Sequence, residues 1–364
     1  MAQINTNIPS KGVSDRLSAL DINDIASTVN ANSSDLESLT QAIEASDIPA
    51  RFKAVDDTDV SNIRTYNTED LPSGLEDGTI VFDTMAESPV YAHAGQWHRA
   101  SDEVALSTLP EIDLFVVMGQ SNADGKAQAS HLTITPSVSL SNTEMYLSTV
   151  DPAANHEWVQ GTWGTMNVGT NTSVVSGRFG VEYGMAEGFY NLKSTYPNAF
   201  ATHPAFLKHV RGNTDLANNW DSTNAANFMY SSMEKAVADA RYTLGQKGYR
   251  LKLRGFVWFQ GESDALDQAK ANAYEANLTA FFAGIRSRFN TPELPIVMCK
   301  IAYAYTPPAY LSTVQAAQQA VADNDSNIEI IDTSGLARRD SVHLKADSTF
   351  TLGQSIAAKF GSMI

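Results

Sequence analysis

The run Ile112-Asp-Leu-Phe-Val-Val-Met118 leads directly into Gly119-Gln120-Ser121-Asn122. A nearly continuous apolar run of this length is typical of a strand buried on both faces of a sheet. Four similar runs follow, at residues 205–210, 255–259, 296–299 and 328–331. Helical patterns lie between or after them, at 180–196, 224–244, 267–289, 310–323 and 350–360. This alternation predicts an α/β fold with a parallel sheet that helices cover on both faces.

The composition narrows the class of protein. The 364 residues are 43% hydrophobic and 18% charged, a composition that is typical of globular proteins. The net charge of −16 argues against nucleic-acid and anionic-membrane partners, because both need a positive surface. We also expect no secretory signal, since the N-terminus has neither a basic start nor an apolar run. The one cysteine, Cys299, lies in a strand-like run and is expected in the core. No metal, nucleotide or other cofactor motif is present in the sequence.

The charge is unevenly distributed along the chain. Residues 1–105 contain 6 basic and 18 acidic residues, a net of −12, whereas residues 106–364 have a net of −4. This asymmetry predicts modules with different roles. We expect an N-terminal segment with a short coiled coil at 1–48, a small β domain at 49–105 and the α/β domain at 106–364.

The coiled coil is predicted from apolar residues that recur with steps of three and four. They are Ile22, Ile25, Val29, Leu36, Leu39 and Ile43, with Asn32 at the one polar position. These roughly three heptads favour a coil between chains, with an ordinary amphipathic helix packed on its own chain as the alternative.

The residues that follow the predicted strands are the candidate functional residues, since ligands of parallel sheets bind beyond the carboxyl ends of the strands. Ser121 occupies a strand-to-helix turn that would present its hydroxyl, with a capping role as the alternative. Asp340 and His343 are three residues apart, so the carboxylate can hold one imidazole nitrogen and leave the other as a base. An ordinary surface turn is the alternative there. The chain order Ser, Asp, His at strand ends favours a catalytic triad.

A further polar segment, Gln260-Gly-Glu-Ser-Asp264, follows the third predicted strand. The amide of Gln260 is a candidate donor to a developing oxyanion. Glu262 is a rival carboxylate for His343. We expect it to be a buried support of the active-site loops instead, because its spacing gives no predictable contact with the histidine.

These blocks, Gly119–Asn122, Trp258–Asp264 and Asp340–His343, resemble those of the SGNH-hydrolase superfamily. More narrowly, they are similar to its sialate-O-acetylesterase and carbohydrate esterase family six-like branch, over about residues 110–360. The resemblance implies a three-layer α/β/α sandwich with a five-stranded parallel sheet of flavodoxin-like type. Phe179-Gly180-Val181-Glu182 resembles the block whose glycine N–H joins the oxyanion hole.

The resemblance implies a serine carbohydrate O-acetylesterase, a carboxylic ester hydrolase that needs no cofactor. Ser121 would be the nucleophile, His343 the base and Asp340 its orienting partner. The implied oxyanion donors are Ser121, Gly180 and Gln260.

The substrate-binding predictions fall on four residues. A loop-rich insertion at 126–178 contains Trp158 and Trp163, which are either sugar-stacking platforms or parts of a satellite core. Arg178 is a candidate contact for an acidic sugar, with a solvated surface role as the alternative. Asn213 departs from a glycine-pair loop of the related branch and is expected to alter the substrate pocket.

Residues 78–84, followed by Gln96-Trp97, resemble segments of phage tail-fibre proteins. That resemblance implies a homotrimer in the virion, contacts with other tail proteins and an acetylated host polysaccharide as substrate. One alternative is a cellular or secreted sialate or xylan acetylesterase with an accessory domain. Another is a non-catalytic glycan-binding tail protein.

Overall fold

The computed structural model describes residues 110–136, 143–195, 204–224, 227–245, 247–289 and 291–363, together with the backbone of five short strands before them. The chain divides into two compact units. One unit is Met1–Pro110 with Gly245–Arg250, and the other is Glu111–Leu244 with Leu251–Ile364. The predicted coiled-coil stripe from Ile22 to Ile43 lies outside the described residues.

The first unit contains a small sheet. Its strands are β1 Lys53–Ala54, β2 Thr65–Tyr66, β3 Thr79–Asp83, β4 Ser88–His93 and β5 Gln96–Arg99. β3 pairs in parallel with β1 and β2 and in antiparallel fashion with β4, which also pairs antiparallel with β5. β3 contains residues 79–83 of the tail-fibre-like segment, and β5 contains Gln96 and Trp97.

The second unit is built on an eight-stranded, mostly parallel sheet. Its strands are β6 Glu111–Gly119, β8 Glu144–Asp151, β9 Glu157–Val159, β10 Trp163–Thr165, β12 Pro204–Val210, β13 Arg250–Phe259, β14 Ile296–Lys300 and β15 Ile328–Asp332. Their order is β10-β8-β12-β6-β13-β14-β15, and β9 pairs with β8. β7 Ala127–Gln128 and β11 Arg178–Phe179 form a separate antiparallel pair.

The five predicted strands are adjacent in this sheet, as β12-β6-β13-β14-β15, so the α/β fold is confirmed. The sheet is nevertheless larger than the five strands implied by the resemblance. β8 adds a sixth strand, parallel to β12, and the antiparallel strands β9 and β10 pair with β8. All three lie in the insertion that the sequence analysis describes as loop-rich. β8 alternates buried and half-buried positions, whereas β6 is buried almost throughout, so β8 lacks the continuous apolar run of the central strands.

Helices cover the sheet. In the described part of the chain they are α1 Ser121–Asp124, α2 Val181–Thr195, α3 Leu216–Asn219, α4 Phe228–Gly245, α5 Gln268–Arg288, α6 Leu311–Asp323 and α7 Ala346–Met363. The five longer ones confirm the predicted helices, and α7 begins four residues before its predicted start. None of these helices is long and apolar enough to span a membrane.

The parallel strands end at one side of the sheet, which we call the carboxyl edge. Five segments lie there, each directly after a strand: residues 120–125, 211–215, 260–267, 301–310 and 333–345. The buried core beneath them includes Phe115, Phe206, Phe256 and Trp258. The sheet therefore brings together segments that are far apart in the sequence, and the candidate functional residues lie on them.

Candidate active site

Ser121 lies in a tight turn directly after β6. Gly119 has a φ of +139°, and a side-chain carbon there would lie 2.1 Å from the carbonyl oxygen of Phe259, so the position requires glycine. Gly125, with a φ of +90°, closes the turn against the backbone of Phe179 at the same 2.1 Å. The Gln120 N–H donates to the Phe259 carbonyl over 3.1 Å. The turn is thus held against the next strand, with Ser121 at the carboxyl edge.

Ser121, His343 and Asp340 form one hydrogen-bonded chain. The Nε2 of His343 lies 3.0 Å from the Ser121 Oγ, and its Nδ1 lies 2.8 Å from Oδ2 of Asp340. The side chains of His343 and Asp340 are 25% and 45% exposed, so the chain is open to solvent. The structure brings together all three residues of the predicted triad, in the geometry by which a serine is activated as a nucleophile.

The Asp340 carboxylate is held in its charged form. Partial burial would raise its pKa, but hydrogen bonds from the backbone N–H and imidazole of His343, and from the N–H of Val342, outweigh that effect. The two backbone N–H groups donate to Oδ1 over 2.8 and 2.9 Å. The net result is a pKa below the usual value for aspartate, so the carboxylate is ionised wherever the imidazole can act as a base.

Asn122 fastens the histidine segment to the nucleophile turn. Its Nδ2 donates to the Val342 carbonyl over 3.3 Å, and its Oδ1 accepts from the Leu344 N–H, also over 3.3 Å. Because these two backbone groups flank His343, Asn122 holds the imidazole in register with the serine beside it. Sequence reasoning missed this role, and the only signal for it is the position of Asn122 directly after Ser121.

Glu262 is a buried hydrogen-bond acceptor for Asn122. Its Oε1 accepts a hydrogen bond from Asn122 Nδ2 over 2.8 Å, while Oε2 has no hydrogen-bond partner among the described residues. Burial raises the pKa of Glu262 to about 7, although the bond from Asn122 opposes this, and the nearby Asp264 raises it further. This buried position agrees with the expected role as a support of the active-site loops.

The side chain of Gln260 is held by other protein groups, and its role as an oxyanion donor stays a prediction. Its amide is completely buried. Its Nε2 donates to Asp264 Oδ2, the Thr214 carbonyl and Gln120 Oε1 over 2.6, 3.0 and 3.2 Å. Tyr274 donates to its Oε1 over 3.1 Å. Gln260 therefore holds three segments of the carboxyl edge together, and its N–H groups are committed to protein acceptors.

The backbone N–H of Gly180, the other expected oxyanion donor, also has a protein acceptor. Its backbone N–H donates to Oε1 of Glu182 over 3.1 Å. Glu182 in turn pairs with Lys208 over 2.6 Å, and both side chains are completely buried. Lys208 further donates to the carbonyls of Asp124 and Thr172 over 2.9 and 2.6 Å. The glycine is thus part of a buried ionic network behind the nucleophile turn.

The segment after β12 approaches Ser121 more closely than the sequence indicates. A side-chain carbon built on Gly212 would lie 3.7 Å from the Ser121 Cβ. The Arg211 N–H donates to the Gly119 carbonyl over 3.3 Å, and Gln260 holds Thr214. Asn213 is exposed in this turn, with a φ of +61°. Gly212 therefore borders the nucleophile, a position that the sequence analysis gives to Gly180.

The two tryptophans pack against the core, which favours the satellite-core interpretation. Trp158 donates its indole N–H to Ser148 Oγ over 2.7 Å. Trp163 donates to the Ala240 carbonyl over 2.8 Å and packs against Tyr146 with ring centroids 5.4 Å apart. Both rings are only half-buried, but their polar atoms and one face are engaged by protein groups.

Arg178 lies in β11, which pairs with β7, the short strand that follows the nucleophile turn. Its backbone pairs with Gln128, and its carbonyl accepts from Thr172 Oγ1 over 3.0 Å. The side chain is half-buried. Its contact with an acidic sugar stays a prediction.

A Ser-His-Asp chain at the carboxyl edge of a parallel sheet defines a hydrolase-type site. Comparison with protein families then identifies the family. Residues 111–362 match the model described as carbohydrate esterase, sialic acid-specific acetylesterase. This match covers most of the chain, which belongs to that family of carbohydrate esterases.

The individual proteins that are similar to this chain have low sequence identity to it. The chain is 30% identical over 133 residues to a probable carbohydrate esterase of Arabidopsis thaliana. These 133 residues are 36% of this chain and 47% of the relative. The chain thus spans about half the length of the curated relative it matches. A solved Arabidopsis thaliana structure is 24% identical with a TM-score of 0.49, covering 70% of this chain and 99% of that one. A carbohydrate acetylesterase from Xanthomonas citri is 16% identical with a TM-score of 0.46, covering 74% and 59%.

Proposed function

We propose that this protein is a serine carbohydrate O-acetylesterase. The observation that carries the proposal is the chain from Ser121 through His343 to Asp340, which is open to solvent at the carboxyl edge. Membership of a carbohydrate esterase family supplies the class of substrate. The geometry supplies a nucleophile, a base and a group that orients the base.

In the proposed acylation step, the Ser121 Oγ attacks the carbonyl carbon of an acetyl ester. His343 Nε2 takes the hydroxyl proton as the new C–O bond forms. Asp340 keeps the proton of Nδ1 in place and stabilises the imidazolium. His343 then gives the proton to the sugar oxygen as the ester C–O bond breaks, so the deacetylated sugar leaves and an acetyl-serine remains.

The tetrahedral oxyanion needs donors that are not already committed. We propose the backbone N–H of Ser121 and that of Gly212, which borders the serine. In the described part of the chain neither group donates a hydrogen bond to a protein acceptor. Each donor of this kind typically contributes about 2.7–4 kcal/mol to transition-state stabilisation. Water, activated by His343, then hydrolyses the acetyl-serine by the same route and releases acetate.

The nucleophile is tested by acetyl release from p-nitrophenyl acetate. We expect Ser121→Ala to lower kcat by several orders of magnitude, because no other hydroxyl replaces the attacking atom. Ser355→Ala, at an exposed position of α7, is the matched control and should retain wild-type activity. Equal rates for the wild type and Ser121→Ala would remove Ser121 from this role.

We further propose that the substrate is an acetylated surface polysaccharide and that the enzyme belongs to a phage tail. Support comes from the heptad stripe and the tail-fibre-like segment of the first 105 residues. Acetate release screened across acetylated polysaccharides, including bacterial surface glycans, tests the substrate. Release from plant xylan or free sialic acid esters alone would favour the cellular or secreted alternative. Glycan binding without any acetate release would favour the non-catalytic tail protein.

The proposed homotrimer has a separate test. Light scattering on the full chain should give three times the chain mass of 39.4 kDa. Replacing Val29 and Leu36 by aspartate should lower that mass, because charges in a coiled-coil seam oppose association. A monomeric wild-type chain would contradict the trimer while leaving the esterase proposal intact.

A further inference from the structure

Two large hydrophobic side chains are unusually exposed at the carboxyl edge. Leu266 is 70% exposed and Tyr305 is 60% exposed, the two highest values for large hydrophobic residues in the described part of the chain. Leu266 lies in the segment after β13, and Tyr305 in the segment after β14. Exposed apolar groups beside polar reactive groups are typical of binding surfaces.

Tyr305 is joined directly to the segment that carries the catalytic histidine. The backbone N–H of Ala304 donates to the Ser341 carbonyl over 2.8 Å. The Ser341 hydroxyl in turn donates to the carbonyl of Tyr305. Because Ser341 follows Asp340 in the sequence and precedes His343 by two residues, the backbone of Tyr305 is held beside the Asp340–His343 turn.

The backbone next to Tyr305 is strained. Thr306 has a φ of +52°, a conformation that a β-branched residue rarely adopts. Such strain persists only where neighbouring contacts impose it, and it concentrates at ligand-binding segments. Here Pro307 and Pro308 follow directly, and the Tyr310 N–H donates to the Ala265 carbonyl over 3.2 Å. That last bond also joins the segment of Tyr305 to the segment of Leu266.

We propose that Tyr305, assisted by Leu266, is a platform on which a pyranose ring of the acetylated glycan stacks while its ester lies at Ser121. This rests on the proposed esterase function and names the element that selects glycans over small esters. An aromatic ring suits this role because it offers an apolar face to the sugar's C–H groups and a polar edge to water. The two tryptophans predicted for the role are engaged in the core, whereas the Tyr305 side chain is largely open.

The test compares two substrates in the full-length enzyme. KM and kcat are measured for an acetylated oligosaccharide that the wild type hydrolyses and for p-nitrophenyl acetate. Tyr305→Ala should raise KM for the oligosaccharide about tenfold, with little change in kcat and no change for p-nitrophenyl acetate. Tyr305→Phe should stay close to wild type, because the ring face is retained. Leu266→Ala should raise KM by a smaller factor.

Tyr190→Ala is the matched control, since this tyrosine is 56% exposed on α2 and lies in none of the five segments of the carboxyl edge. Unchanged oligosaccharide kinetics in Tyr305→Ala would overturn the proposal. Equal losses on both substrates would also overturn it, since they would show damage to the triad. A wild type that releases no acetate from any glycan would refute the proposed function itself, and the platform with it.

Discussion

The turn after β13 and the turn after β15 end at the same edge of the sheet, and sequence reasoning gave both a part in the chemistry. Their surroundings differ sharply. Gln260 is completely buried and donates to three acceptors, whereas the side chains of Asp340 and His343 are partly exposed and meet the serine. The first turn therefore holds the segments of the edge together, and the second exposes the Asp340–His343 pair to solvent.

The carboxylates of the two turns show the same contrast. Burial raises the pKa of Glu262 to about 7, because the hydrogen bonds from Asn122 and from its own backbone N–H do not replace its lost hydration. The pKa of Asp340 is lowered despite partial burial, since two backbone N–H groups and an imidazole stabilise its charge. Polar residue type alone thus does not separate a reactive group from a supporting one. The two carboxylates differ instead in the number of hydrogen-bond donors around them and in their degree of burial.

The largest expected effect is on the exposed turn. Asp340→Asn should lower kcat for p-nitrophenyl acetate by about 10⁴-fold, because an amide no longer orients and stabilises the imidazolium. The unfolding free energy should change little, since the amide oxygen can still accept from the Val342 and His343 backbone. Asp332→Asn is the control, as Asp332 caps Ser334 and does not contact His343. A loss of less than tenfold would show that Asp340 is dispensable.

The second prediction concerns the buried turn. Gln260→Ala should lower the unfolding free energy by about 2–4 kcal/mol, because Asp264 and the Thr214 carbonyl lose a buried donor. Chemical denaturation measures this, with Gln268→Ala at an exposed position of α5 as the control. The kcat of the folded enzyme should fall less than tenfold. A fall of 10²–10³ without loss of stability is what removing an oxyanion donor produces, and would restore the role predicted from sequence.

The third prediction uses pH to separate the carboxylates. The pKa of Glu262 is about 7 in the folded protein, against an ordinary value of 4.5. The free energy of unfolding of the wild type therefore falls as pH rises from 4.5 to 7, and it stays at the lower value at higher pH. Glu262→Gln cannot ionise and retains an oxygen for Asn122. The difference in unfolding free energy between this variant and the wild type should therefore shift by up to about 3 kcal/mol in favour of the variant between pH 4.5 and pH 8.5. Denaturation at both pH values tests this, and a pH-independent difference would contradict it.

The smallest effect is expected for the core tryptophan. Trp158→Phe should lower the unfolding free energy by about 1 kcal/mol, because one hydrogen bond to Ser148 is lost. It should leave KM for an acetylated oligosaccharide unchanged. A rise in KM that matches the effect of Tyr305→Ala would return Trp158 to the substrate-binding surface.

Much of the fold was predictable because the signals are local. Five continuous apolar runs and five helical patterns correspond to elements of the structure. β8 was missed because its half-buried face gives a weaker, alternating pattern. Ser121, Asp340 and His343 were found because each follows a strand end. Asn122 was not, since its contacts with residues 342 and 344 span 220 positions of sequence.

The sequence pattern alone thus indicated a parallel α/β fold, and it indicated which serine, aspartate and histidine meet. Both were predictable because hydrophobic periodicity and strand ends depend on residues that are close together in the sequence. Which backbone and amide N–H groups are free could not be read in this way. The Gly180 N–H donates to Glu182, which pairs with the distant Lys208. Gln260 donates to Gln120 and Thr214 on other segments, and Gly212 borders the serine. Hydrogen-bond partners between distant segments depend on how the sheet aligns its strands, and that alignment exists only in the folded chain.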